Sequence, residues 1–269
     1  MHIWHQGLIP DDETSTAYFA ARARHATLVA DTGTSIDFHG LEVADFPGGL
    51  TPAELARQEV GELLMSARVA ARVLEATTGD YDAVIVGILQ DTGLAAARTL
   101  TDLPVVGYGQ ATALIGRSLG ERLGIVAFNP ELFPLFRERI EHYAPGFVTG
   151  VEQVDLSYGQ VLHSFSDESA ANAVRQELTE ACRRLVSSGC DVLVAGQMLL
   201  AEAAWALGVV RVDNAPVLDG LGATIGLAEV LVRLRAVSGL TPGRKGIHSA
   251  LVSDGVRDLL KRMGPLGQL

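Results

Sequence analysis

Only two cysteines, Cys182 and Cys190, occur in 269 residues, too few for a disulfide framework. Cys182 falls inside a predicted helix and Cys190 just before a predicted strand, so both read as buried, reduced thiols rather than reactive groups at a strand end. The seven histidines form no His-X-X-X-His pair, and no cysteine or carboxylate cluster stands at ligand spacing, so no metal site is expected. Nowhere do the about 18 apolar residues that a membrane helix needs run uninterrupted, and the opening Met1-His-Ile-Trp-His-Gln has neither the basic start nor the apolar stretch of a secretory leader. Positive charge is also scarce: 21 Lys and Arg stand against 32 Asp and Glu, giving a net charge of −11 and a pI near 5.0. A field of that sign opposes nucleic acid and acidic lipid surfaces. These absences predict a soluble cytoplasmic protein with no cofactor and a small-molecule substrate. Alternation of Ala and Arg around residues 65–72 leaves a homo-oligomer open. The mean hydropathy of +0.25 is assigned to buried strands and Ala-rich helices.

What is present is a pattern used twice. Asp82-Ala-Val-Ile-Val-Gly-Ile88 and Asp191-Val-Leu-Val-Ala-Gly-Gln197 are short apolar runs opened by an acid and closed by Gly-X. After each, at similar offset, come Pro104-Val-Val-Gly-Tyr-Gly-Gln-Ala-Thr112 and Pro216-Val-Leu-Asp-Gly-Leu-Gly-Ala-Thr224. A duplicated α/β unit explains both pairs. It places Ile88 and Gln197 at equivalent strand ends, where open parallel sheets bind ligands.

The local pattern agrees. Strands are predicted over residues 2–6, 35–41, 83–88, 104–107, 123–128, 150–154, 192–195 and 209–218. Helices are predicted over 16–30, from Thr51-Pro-Ala-Glu (a capping box with proline at the first position) to 77, from Asp91, over 130–143, over 166–188 with Ser166 or Asp167 as cap, over 198–207 and over 223–237, with a loop and a terminal helix after Gly239. The fold class is therefore α/β: two pseudo-symmetric, doubly wound domains with mainly parallel sheets and a cleft between them. Residues 1–115 with 223–269 are assigned to the first domain and 116–222 to the second.

The run of motifs resembles the aspartate/glutamate racemase superfamily, and within it the hydantoin racemase branch. The resemblance rests on Ile-Trp-His-Gln at the start, Gly33-Thr and Phe38-His-Gly-Leu, Asp82-Ala-Val-Ile-Val, Asp91-Thr-Gly-Leu, Pro104-Val-Val-Gly and Pro216-Val-Leu-Asp-Gly, in that order, over nearly the whole chain. It implies two cysteines, one from each half, facing the substrate's α-carbon from opposite sides, because racemisation removes a proton from one face and returns it to the other. The implied positions are Ile88 and Gln197, neither of which exchanges a proton near neutrality. Gln110 likewise stands where the resemblance implies a glutamate. The chain is therefore expected to keep the frame and not the thiol mechanism.

Catalysis would then fall to Asp91, Tyr108 or His5. Asp91, Thr92 and Gly93 follow a strand and open a helix, so their N–H groups and the Thr92 hydroxyl suit a carboxylate or imide oxygen, while Asp91 alone would also serve as a helix cap. Tyr108 lies in Gly107-X-Gly109, which lacks the third glycine of a dinucleotide fingerprint. His5 and Gln6 end the first strand and point to opposite faces, so at most one reaches the cleft. Asn129 is read as the counterpart of Gln6. Leu89, Gln90 and Met198, beside Ile88 and Gln197, complete the expected binding set. His39 and Asp219 are weighed as structural groups. Two functions follow: an enzyme of isomerase or lyase type, decarboxylation included, on a hydantoin, amino-acid derivative or carboxylate, or a silent binding protein that keeps the cleft.

Overall fold

The aspartate that opens each repeated run and the glycine that closes it have the same backbone task in both halves. In the computed structural model, which describes residues 1–266, β1 (His2–Gln6), β2 (Ser35–His39), β3 (Ala83–Val86) and β4 (Val105–Gly107) form a parallel sheet in the order β2-β1-β3-β4. The last three residues of the segment assigned to the first domain lie outside the described residues. A second parallel sheet holds β5 (Leu123–Ala127), β6 (Val148–Gln153) and β7 (Val192–Ala195) in the order β6-β5-β7, and Val217 makes a parallel bridge to Leu193, where β4 stands in the first sheet. The Asp82 carboxylate accepts the His2 N–H at 2.8 Å and that of Asp191 accepts the Arg122 N–H at 2.8 Å, tying the start of β3 to β1 and of β7 to β5. At the other end Gly87 N–H donates to Gln6 O at 2.8 Å and Gly196 N–H to Val126 O at 2.7 Å. These bonds pair Ile88 with Gln197, as the repeat predicts. They also correct one expectation: the counterpart of Gln6 is Val126, and Asn129 corresponds to Ile9.

Around the sheets run α1 (Thr16–Val29), α2 (Pro52–Leu55), α3 (Glu59–Ala76), α4 (Leu94–Arg98), α5 (Tyr108–Arg117), α6 (Phe133–Tyr143), α7 (Tyr158–His163), α8 (Glu168–Ser187), α9 (Met198–Ala206), α10 (Gly220–Ser238) and α11 (Asp254–Lys261). Helix α8 shows why such segments are helical. Val174, Leu178, Ala181, Cys182 and Leu185 recur every three or four residues and are buried, and the Asp167 carboxylate caps the first turn through the Ala170 N–H at 2.7 Å. Burial of one such leucine stabilises by about 1.5–3 kcal/mol. Helix α10 packs on α1, α5 and β3 as well as on α9, and α11 lies on α3.

Two predicted elements differ, and one short helix answers to no prediction. The helix expected from Thr51 to residue 77 is two helices. Its capping box forms, with Glu54 N–H donating to Thr51 Oγ1 at 3.2 Å and Thr51 N–H donating to the Glu54 carboxylate at 2.8 Å. The chain then turns at residues 56–58 and brings Gly61 against the Leu55 carbonyl, 2.0 Å from where a Cβ would lie, so the helices cannot be collinear. The strand expected over 209–218 is instead a short antiparallel pair, β8 (Arg211–Val212) and β9 (Ala215–Pro216), turned at Asp213 with φ +48. The segment meets the main sheet only afterwards, where Val217 bridges Leu193 and the Leu218 N–H donates to Leu193 O at 2.7 Å. Helix α7 fell in no predicted element.

Candidate active site

Both sheets end on one cavity. It is lined by residues 7–9 after β1, 87–90 after β3, Phe128 and Asn129 after β5, and 196–199 after β7, with Tyr18 and Arg22 from α1, Pro52 and Ala53 from α2, Ala56, Leu132 and Tyr158. About 630 Å³ of space lies between these atoms, part of it open to solvent. This is the crevice at the carboxyl ends of strands that open α/β sheets use for ligands. The glycines before Ile88 and Gln197 are required there. A Cβ on Gly87 would lie 2.0 Å from the His5 ring, and one on Gly196 2.7 Å from Phe136.

Of the expected binding set, Ile88, Leu89, Gln90, Asn129, Gln197 and Met198 line this cavity together. Gln197 is the N-cap residue of α9, and neither its amide nitrogen nor its amide oxygen has a hydrogen-bond partner among the described residues, although both are out of solvent. The backbone N–H groups of Ile88, Leu89 and Gln90, and those of Met198 and Leu199 at the start of α9, also donate to no acceptor among the described residues. Asn129 is committed: its amide donates to Ala53 O at 3.0 Å and accepts from Arg57 at 3.3 Å, joining the second half to α2.

The structure does not bring Asp91, Tyr108 and His5 to the cavity wall. Asp91, at φ +56, turns its carboxylate away to accept the N–H groups of Gly109 at 2.9 Å and Gln110 at 3.2 Å, which caps α5. Burial pushes its carboxyl up to about 7 against those bonds and the nearby Arg98 and Arg139. A Cβ on Gly107 would lie 2.3 Å from Asp91 Oδ1, so the Gly-X-Gly turn serves this approach and not a nucleotide phosphate. Tyr108 is fully buried and donates to Ala195 O at 2.8 Å, a bond from α5 to the end of β7. Burial pushes its phenol far above the ordinary range.

His5 is enclosed between Gly87, Phe38 and Arg22, and burial followed by the Arg22 charge holds its pKa well below 6.5, so the ring is neutral. Gln6, on the opposite face of β1, accepts from Trp4 Nε1 at 3.1 Å and donates to Gly7 O at 2.9 Å. Neither therefore reaches the cavity, and the next residue, Gly7, does. Thr92 donates to Glu62 at 2.6 Å, and Gly93, at φ +76, donates its N–H to Ser66 at 3.1 Å; both lie behind the wall. His39 stacks on Trp4 at 3.4 Å between ring centroids. Asp219 caps α10 through Gly222 N–H at 2.8 Å and lies 3.0 Å from His25 Nε2.

Sequence reasoning missed Tyr18, Arg22 and Tyr158. A signal for the first two exists: Tyr18, Ala21, Arg22, His25 and Ala26 repeat at helical spacing and form the buried stripe of α1, so two basic residues sit where apolar ones belong. Among the described residues Tyr18 and Tyr158 are the cavity-lining phenols, and burial raises both, Tyr18 to about 12. They are protonated hydrogen-bond donors at neutral pH. Among the described residues no lining side chain gives and takes a proton near pH 7. Neither cysteine lines the cavity: Cys182 is buried on α8, and Cys190 lies against Gly124 and Gly150 beneath the second sheet.

Comparison with known proteins gives the same frame. Hydantoin racemase of Pseudomonas sp. (strain NS671) is 28% identical over 154 residues, which are 57% of this chain and 59% of that protein. The chain thus spans less than two thirds of that relative's length. Allantoin racemase from Klebsiella pneumoniae superposes with a TM-score of 0.75 at 22% identity, covering 98% of this chain and 100% of the other. A variant of arylmalonate decarboxylase in its liganded form superposes with a TM-score of 0.55 at 15% identity, covering 86% and 92%. The family model for Asp/Glu/hydantoin racemase matches residues 11–228, so the chain belongs to the Asp/Glu/hydantoin racemase family.

Proposed function

We propose that this family member binds a small carboxylate or hydantoin-type molecule in the cavity and acts on it without cysteine, by a lyase or isomerase reaction that needs no base to pull a proton from carbon. The observation that carries this reading is the meeting of Ile88 and Gln197 in one cavity whose lining, among the described residues, offers hydrogen-bond donors and apolar surface but no group that titrates near neutrality. Two-base racemisation needs two such groups. Decarboxylation does not. The carboxylate leaves as carbon dioxide, the electron pair of the broken C–C bond stays on the α-carbon, and a proton from water or a tyrosine hydroxyl completes the product.

The lining suits each step. Ile88, Leu89, Leu132, Met198 and Leu199 exclude water from the departing carboxylate. The Gln197 amide, the free N–H groups of residues 88–90 and the first turn of α9 suit an enolate-like oxygen, where each preorganised donor contributes about 3 kcal/mol to transition-state stabilisation. Likeness in fold to a decarboxylase is consistent with this reading, although fold alone does not assign chemistry. The same missing base also favours a second reading, a silent binding protein.

A thermal-shift series of hydantoins, aspartate, glutamate and substituted malonates, followed by NMR in deuterated water, separates the two. Carbon dioxide release with a single deuterium at the α-carbon is the expected result for a malonate. Stabilisation with no conversion of any ligand selects the silent reading. Rapid α-proton exchange of a chiral hydantoin with no other change defeats the cysteine-free account.

A further inference from the structure

We propose that the cavity is built for an anionic ligand, with Arg22 as its carboxylate subsite and the Gln197 amide as its imide subsite, so that the ligand is a cyclic ureide or imide bearing a carboxylate rather than a neutral hydantoin. This rests on the reading of the cavity as the ligand site and adds to it the ligand's charge and the edge that Gln197 recognises.

The protein pairs its other buried cations with carboxylates. Arg68, on α3, lies 2.9 Å from Asp45 and 2.8 Å from Glu42. His25, on α1, lies 2.9 Å from Glu202 and 3.0 Å from Asp219. Arg22 is 2% exposed and has no carboxylate partner among the described residues. Its guanidinium carbon lies 4.2 Å from the centroid of Phe38 and 5.1 Å from that of Tyr18, and Nη2 is 3.0 and 3.1 Å from the ring nitrogens of His5. Aromatic faces and a neutral imidazole hold the group in place but do not neutralise it. Among the described residues neither Nε nor Nη1 makes a hydrogen bond, and the Tyr18 phenol beside the group carries no charge to offset it. A guanidinium this deep keeps its charge, and an uncompensated buried charge is costly until an anion pairs with it. It lines the cavity, so the anion it lacks is one that enters there. Its planar fork matches a carboxylate with two parallel bonds.

Gln197 supplies the second contact. Two buried amides elsewhere are bonded at both ends, Gln6 by Trp4 and Gly7 and Asn129 by Arg57 and Ala53. Gln197 is bonded at neither end and presents a donor beside an acceptor. A lone carboxylate satisfies only the donor. An N–H next to a C=O, held cis in a ring, satisfies both.

Hydantoin-5-acetic acid and hydantoin-5-acetamide differ in charge and hardly in shape, and titration calorimetry of both against the full chain tests the inference. The wild type is expected to bind the acid at least about tenfold more tightly than the amide. Arg22→Met should bring that ratio to about one while leaving amide binding in place, and its ligand-free melting temperature should equal or exceed that of the wild type, because no bound anion is lost with the charge. Should Arg22→Met not fold, Arg22→Lys keeps the charge without the fork and is expected to give an intermediate ratio. Gln197→Leu should weaken both compounds about tenfold or more. Equal binding of acid and amide by the wild type, or an unchanged ratio in Arg22→Met or Arg22→Lys, overturns the anion subsite and leaves the cavity as a ligand site. Binding of neither compound by a protein that does bind a malonate overturns this inference alone, and binding of none of these molecules overturns both readings.

Discussion

The two strand ends that meet in the cavity share a frame and differ in what they present. After Gly87 the chain spends residues 88–90 on the wall, then turns through Asp91 and Gly93 at positive φ before α4 begins. After Gly196 it enters α9 directly, with Gln197 as the last residue outside the helix. The backbone anchors are kept in both halves, since Asp82 and Asp191 close the same ties and Gly87 and Gly196 donate the same bonds. The side chains that face a ligand are not kept: one end offers an aliphatic group, the other an unbonded amide. In a duplicated fold the hydrogen bonds that hold strands together constrain sequence on both sides, whereas a cavity residue answers only to its ligand.

Making the two ends alike should have the largest effect. Ile88→Cys with Gln197→Cys is expected to raise racemisation of a chiral hydantoin about 10²-fold or more above the parent, followed by polarimetry; a well-folded double variant with no gain would show that the ends do not face a common carbon. Gly87→Ala and Gly196→Ala test whether the two glycines are equally needed. The first should cost about 3 kcal/mol and the second about 1 kcal/mol in urea unfolding, because the added carbon meets the enclosed His5 ring more closely than it meets Phe136.

The His25 link between halves is pH-dependent. Burial lowers the pKa of His25, but the Asp219 and Glu202 carboxylates outweigh it and hold the pKa at about 9, above the 6.5 of an unstructured histidine. Its stabilisation is therefore complete below about pH 6.5 and is lost as pH rises through about 9. Urea unfolding should show a loss of about 2–3 kcal/mol across that window in the wild type and a clearly smaller one in His25→Gln, where the raised Asp91 carboxyl still contributes near pH 7. The smallest contrast is at the other end of the strands. Asp191 accepts N–H groups from both Glu121 and Arg122 and Asp82 accepts one from His2, so Asp191→Ala should cost about 1.5 kcal/mol and Asp82→Ala about half that.

Much of this was legible in the sequence because it is written in local pattern. The repeat placed Ile88 and Gln197 at matching positions, and the capping box at Thr51 formed as read. The side-chain targets of Asp91 and Tyr108 were not legible, since Gly109 N–H and Ala195 O are brought to them only by packing between distant segments. The break after α2 brings Gly61 against the Leu55 carbonyl, a contact that propensity does not encode. Arg22 was hidden for another reason. An arginine on a helix is ordinarily solvated, and only the stripe shared with Tyr18, Ala21 and Ala26 marks it as inward.

The seating of the two sulfurs has a practical consequence. Cys182 and Cys190 are both buried in one core, so neither is within reach of an alkylating reagent while that core is closed, and burial also raises the Cys182 thiol to about 12. Slow iodoacetamide labelling of the unmodified protein then times the opening of the core that encloses them, a clock that needs no engineered probe.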